Sequence, residues 1–160
     1  MSSELNYRKL NKSDLQEVSE LVWRVFKEFE APEYLDEGIE NFRRFIEVEQ
    51  LAINYDSEIM RFYGCLSEGK IIGVIAVRQF NHISLMFVDK EFHRKGIARS
   101  LFELIKSNVK NNCKDEQNIT VNSSPYAVKI YECLGFKAVD KEQIKDGIIF
   151  TPMRYENLDI

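Results

Sequence analysis

Three apolar, β-rich segments in close succession, residues 60–66, 71–78 and 83–88, constrain this chain more than any other feature. β-Branched and aromatic residues crowd each of them, as in strands packed on a sheet. Ser67-Glu68-Gly69-Lys70 joins the first two, and its central glycine suits a hairpin turn, so that pair is antiparallel. Asn81 breaks the chain before the third, whose nearly continuous apolar run fits a strand covered on both faces. A sheet of this kind needs helices to cover it, and the flanking sequence supplies them.

On the N-terminal side, residues 5–10 read as a strand. Ser13 is placed to cap a helix with Gln16 as its capping-box partner. Leu15, Val18, Leu21, Val22, Val25, Phe26 and Phe29 then recur at helical spacing, until Ala31-Pro32 breaks the pattern. Asp36 is placed to cap a second helix with Ile39, Phe42, Phe45 and Ile46 on its apolar face. On the C-terminal side Gly96 opens a helix that buries Ile97, Leu101, Leu104, Ile105 and Val109, and residues 119–121 form a short strand. Ser124-Pro125 reads as an N-cap with proline at the first helical position, ahead of Ala127, Ile130, Tyr131 and Leu134; Gly135 ends that helix. Residues 136–139 and 148–154 close the chain as a strand pair. Hairpin-linked strands followed by strand–helix–strand crossovers predict an α/β (α+β) fold, a mixed sheet with helices packed on it. No linker or repeat interrupts residues 1–160, which read as a single domain.

Bulk properties narrow the function. A net charge of −4 and a pI near 5.4 give no general reason to expect a nucleic-acid partner. The longest apolar run, residues 71–77, is far short of the ~20 residues of a membrane span. Cys65, Cys113 and Cys133 are too few and too scattered for a disulfide framework or a zinc site, so no metal is expected. With no signal-peptide pattern at Met1-Ser2-Ser3-Glu4, the expected compartment is the cytoplasm. Charge is nonetheless uneven. Residues 90–114 are basic, through Lys90, Arg94, Lys95, Arg99, Lys106, Lys110 and Lys114, whereas residues 28–49 are acidic, through Glu28, Glu30, Glu33, Asp36, Glu37, Glu40, Glu47 and Glu49. Solvated helix faces carry similar runs.

The chemistry concentrates between the third apolar strand and the helix after it. His93-Arg94-Lys95-Gly96-Ile97-Ala98-Arg99 is a short basic turn at a helix start, where unpaired N–H groups and the helix dipole favour an anion. Gly96 lets the backbone approach a bulky ligand, and Ala98 keeps side-chain bulk away. A pyrophosphate suits such a turn, although an ordinary surface helix can look the same. Neither a P-loop nor a dinucleotide fingerprint occurs.

This segment resembles motif A of the GNAT superfamily of N-acetyltransferases, Gln/Arg-x-x-Gly-x-Gly/Ala: Gly96 and Ala98 match, and His93 stands where Gln or Arg is usual. About thirty residues on, Asn122-Ser123-Ser124-Pro125-Tyr126-Ala127 with Tyr131 and Leu134-Gly135-Phe136 resembles motif B. The resemblance implies a mostly antiparallel sheet of about seven strands flanked by about four helices, with acetyl-CoA as cosubstrate. It implies that the amides from Arg94 to Arg99 hold the pyrophosphate, with His93 at the loop's first position, and that Met86, Phe87 and Val88 pair with the pantetheine arm. Val88 N–H would face the thioester carbonyl, and Asn122 would help fix the pantetheine or the substrate. Tyr131 matches the motif-B tyrosine near the thioester sulfur and is the expected general acid. His82 falls where one branch of the superfamily carries its base, and an ordinary imidazole suits that task at neutral pH. Glu30 lies in the region that such folds place over the acceptor, as a substrate-binding group and a competitor for the role of base. Cys133, two helical residues from Tyr131, points elsewhere, so direct attack in a ternary complex is expected.

The expected function is acetyl transfer to a primary amine of a small molecule or protein, with a cationic acceptor suited to the acidic stretch. A non-catalytic coenzyme A sensor of the same fold is the alternative, and homodimers are common in the family.

Overall fold

The computed structural model describes residues 4–79, 81–112 and 118–156; Cys113 and Lys114 lie outside them. Among the described residues there are eight strands and five α-helices, one more of each than the resemblance implied. Strand β1 (Leu5–Lys9) leads through a 3₁₀ turn into α1 (Leu15–Phe29). The capping box there is built on Asn11, not on Ser13 and Gln16. Asn11 accepts from Ser13 N–H, and the Asp14 carboxylate accepts from Asn11 N–H at 2.8 Å. Ser13 donates its hydroxyl to the same Asn11 oxygen, so it serves the cap without being it.

Leu35, not Asp36, occupies the N-cap position of α2 (Asp36–Phe45); Asp36 sits in the first turn, where its charge still favours the helix dipole. Helix α3 (Val48–Asp56) was not expected; it buries only Leu51 and Asn54 and so carries no apolar stripe to read. Strands β2 (Met60–Ser67), β3 (Lys70–Arg78) and β4 (His82–Val88) follow as expected. Glu68 and Gly69 both take positive φ in the two-residue hairpin loop between β2 and β3.

The C-terminal half comprises α4 (Ile97–Asn112), β5 (Ile119–Ser123), α5 (Val128–Leu134), β6 (Lys137–Ala138), β7 (Gln143–Lys145) and β8 (Ile148–Tyr155). The helix expected from Pro125 begins only at Val128. Ser124 does cap the chain, its hydroxyl accepting from Ala127 N–H at 3.3 Å, but Pro125 to Ala127 form a turn. Strand β7 was unforeseen, although its Asp146-Gly147 link to β8 is a strong hairpin signal.

The sheet runs β1-β2-β3-β4-β5-β8-β6, with β7 paired to β8 off that path. Every pairing is antiparallel except β4 with β5. Helices cover both faces. Phe26, Leu51, Phe62, Leu85 and Phe87 belong to a core under α1 to α3, and Ile75, Leu101, Phe102, Ile105 and Phe136 to a second core under α4 and α5.

Two irregularities in β4 create the site. Its register against β3 passes from Leu85 to Ile83, so Ser84 is an extra residue, a bulge. The bulge puts Ile83 in the α4–α5 core while Leu85 and Phe87 enter the α1–α3 core. The parallel pairing with β5 is confined to His82 with Thr120 and Ile83 with Val121. Beyond it the two strands splay apart, and the last turn of β4 presents a free backbone edge.

Candidate active site

The direction of that edge follows from the ladder. Asp89 N–H donates to Ile72 C=O at 2.7 Å, which makes Asp89 and Ile72 a hydrogen-bonded antiparallel pair. Alternation then turns the polar groups of Phe87 and Leu85 toward β3, and those of Val88 and Met86 away from it, into the splay. The His93 ring confirms the sense of this: its Nε2 donates to Val88 C=O at 2.8 Å. Val88 N–H and both polar groups of Met86 thus face the opening.

The chain leaves β4 through a fixed corner. Asp89 accepts from Glu91 N–H, capping a 3₁₀ turn at Lys90–Phe92, and holds Arg24 of α1 at 2.8 Å. Arg94 and Gly96 then adopt positive φ, 64° and 77°, and α4 starts at Ile97. A Cβ built on Gly96 would meet open space, so the bare backbone there lies open to a ligand. Arg94, Gly96, Ile97, Ala98 and Arg99 share a cleft of about 460 Å³ with Met86, Phe87 and Val88. Phe29 forms another wall, its ring 5.2 Å from His93 and 5.1 Å from Tyr126. Lys95 does not line this cleft; its ammonium lies 5.8 Å from the Phe92 ring centroid. Arg99 donates to Cys133 C=O at 2.7 Å, tying α4 to the end of α5.

A second cleft of about 270 Å³ opens on the other side of the same edge. Tyr34, Phe42, Phe45, Arg78, His82, Asn122, Ser124, Tyr131 and Ile148 line it. Asn122 therefore faces this cleft and not the one at the basic loop. Glu30, Met86, Phe87 and Ala127 line both clefts, so the two meet there.

Glu30 is the unusual group. It ends α1, is only 8% exposed, and hydrogen-bonds Ser124 of the turn before α5. Burial, countered by that hydrogen bond, pushes its carboxyl up from 4.5 to about 7. Its negative charge also acts on Tyr34, Tyr126 and Tyr131, whose hydroxyls are raised first by burial and then by Glu30. Tyr131 is buried and stays protonated throughout the physiological range. His82 moves the opposite way. Burial, then the charge of Arg78, pulls it from 6.5 down to about 4, while its Nδ1 lies 2.8 Å from the Thr120 hydroxyl. The acidic run around Glu30 is partly neutralised, by Lys90 on Glu28 and by Arg43 and Arg44 on Glu40. Among the described residues no cluster of metal-ligating side chains occurs, and no helix is long and apolar enough to cross a membrane.

The basic helix start and the splayed strand edge lie at the first sequence motif, and residues of the second line the neighbouring cleft. The Acetyltransferase (GNAT) domain profile covers residues 30–157. The chain belongs to the GNAT acetyltransferase family. The uncharacterized N-acetyltransferase YafP of Escherichia coli is 35% identical over 80 residues, a match spanning 48% of each protein. PaiA N-acetyltransferase from Thermoplasma acidophilum, solved in complex with coenzyme A, has a TM-score of 0.76 at 21% identity, covering 96% of this chain and 99% of that one. A GCN5-related N-acetyltransferase from Rhodopseudomonas palustris has a TM-score of 0.81 at 14% identity, with 98% of each chain covered. These two structures share the GNAT fold, with its mixed, mostly antiparallel sheet.

Proposed function

We propose that this GNAT protein transfers an acetyl group from acetyl-CoA to a primary amine by direct attack. One observation carries the reading. A phosphate-type cleft and an acid-bearing aromatic cleft open on the same free strand edge and meet at Glu30. The residues present fit coenzyme A: bare backbone at Gly96 and the helix-start amides for the pyrophosphate, and the polar groups of Met86 on the free edge of β4 for the pantetheine amides. Coenzyme A supplies the acetyl group as an activated thioester.

Val88 N–H faces the opening and would donate to the carbonyl oxygen as charge develops on it. Glu30 accepts a proton from the ammonium acceptor; a carboxyl near 7 is a competent base at neutral pH, whereas an ordinary one near 4.5 is too weak. His82, held near 4, is a weak base, so the site favours Glu30 over the histidine singled out by sequence position. Its hydroxyl kept protonated by burial and by Glu30, Tyr131 donates to the leaving sulfur. The nitrogen–carbon bond forms and the carbon–sulfur bond breaks. Of the two protons lost by the ammonium, one matches that gained by sulfur and the other goes to solvent. Cys133 lines neither cleft, which disfavours an acyl-cysteine route.

The test is free-thiol release from acetyl-CoA with a panel of primary amines. Amine-dependent release is expected. Coenzyme A binding without release for any amine would favour a sensor and overturn the enzyme reading.

A further inference from the structure

Resting on that reading, we infer that the acceptor is an elongated amino carboxylate, its amine at Glu30 and its carboxylate on Arg78. The two residues line the same cleft, Glu30 where it joins the first cleft and Arg78 beside the start of β4. Arg78 stands opposite His82 in the β3–β4 register, and the acyl-delivery end of the cleft is at Met86. On β3 the span runs from Arg78 to Ile75, which pairs with Met86; because Ser84 is the extra residue of the bulge, that is three residues, ~10 Å of rise. Part of that span is taken up by the arginine side chain, leaving several bonds between the amine and the anion.

Charge favours an anion at that end. Arg78 is exposed and has no acidic partner among the described residues. Arg8, Arg24, Arg43 and Arg154 are each paired with a carboxylate. A planar guanidinium fork matches a carboxylate in two parallel hydrogen bonds. Neighbouring His82 stays neutral and leaves the anion to Arg78. Tyr34, Phe42, Phe45, Leu85 and Ile148 give the cleft an apolar wall that suits a methylene chain, beside the polar Ser84 and Asn122, and among its lining residues no second acid joins Glu30 to hold a diamine. The acidic run therefore does not by itself make the acceptor a polycation.

The experiment measures initial rates of thiol release at saturating acetyl-CoA along a ladder from glycine through β-alanine and γ-aminobutyrate to ε-aminocaproate. Straight-chain amines of matched length and the diamine cadaverine run beside it. The expected result is kcat/KM rising with length, with ε-aminocaproate about tenfold above its matched alkylamine. Arg78→Ala should abolish that advantage through KM, bringing the kcat/KM ratio of ε-aminocaproate to its matched alkylamine down to about one; Arg78→Lys should restore part of it. A preference for cadaverine or the alkylamine, or an advantage that survives Arg78→Ala, overturns the inference while leaving acetyl transfer standing. Failure of every amine, with coenzyme A still bound, overturns the acetyltransferase reading and this inference with it.

Discussion

Gly38 and Gly147 meet backbone to backbone, with no room for a side chain on either. A Cβ on Gly38 would collide with the Gly147 carbonyl, and one on Gly147 with the Gly38 amide. Leu35 N–H donates to Gly147 C=O at 3.2 Å, and the Asn41 amide donates to Asp146 C=O at 2.9 Å. This contact fastens α2 to the β7–β8 hairpin. It sets the distance between Phe42 and Phe45 on one wall of the second cleft and Ile148 on the other.

Gly38→Ala should therefore cost about 1–3 kcal/mol, the range for forcing atoms into a packed contact. It should also raise the acceptor KM more than that of acetyl-CoA. Urea unfolding and steady-state kinetics on the same variant check both expectations.

Gly96→Ala tests the other cleft. Its φ of 77° costs a non-glycine residue roughly 1–2 kcal/mol, and the new methyl would occupy the open face of the loop. Calorimetric titration should show coenzyme A binding weakened about tenfold or more.

Tyr131→Phe removes the buried hydroxyl but keeps the ring, which packs edge-on against Phe136 at 5.3 Å. The fold should hold, and coenzyme A affinity should change little. Turnover should fall by about a hundredfold or more, the lower end of general acid–base contributions. Single-turnover thiol release measures this directly.

His82 gives a prediction about stability. Its folded value, about 4, lies below the ordinary 6.5, so the unfolded chain binds more protons between these values. Stability gained from the neutral ring is present above pH 6.5 and is lost as pH falls toward 4. His82→Gln should flatten this part of the stability–pH curve, measured by urea unfolding, and should leave the rate limb near pH 7 in place.

The loop from Val88 to Ala98 was legible because strand, basic turn, glycine and helix follow one another locally, and each announces itself by residue type. The placement of Tyr131, buried on α5 and lining the second cleft, was legible through its motif. The altered base strength of Glu30 was not, because it comes from burial in the folded chain, opposed by a hydrogen bond with Ser124 far along the sequence. For His82 the reverse holds: an imidazole in sequence suits base catalysis near neutral pH, and the burial and the Arg78 charge that pull it lower arise only in the fold. Nor could composition reveal the bulge at Ser84, a matter of register with β3. The Asp146-Gly147 turn was readable, and its importance became plain only opposite Gly38.

Glu30 bears the central claim. Its carboxyl is raised from 4.5 to about 7, so the folded chain binds more protons than the unfolded one between these values. The associated stability is present below pH 4.5 and is lost as pH rises through 7, by an amount of the order of 3 kcal/mol. Catalysis needs the opposite, ionised form, so the rate should climb where this stability declines. The decisive measurement is the pH dependence of kcat/KM for wild type and Glu30→Gln with one amine. Wild type should show a limb near pH 7, and Glu30→Gln should lose that limb with a fall of about 10²–10⁴-fold. An unchanged limb and near-normal rates in Glu30→Gln would contradict Glu30 as the base at the meeting of the two clefts.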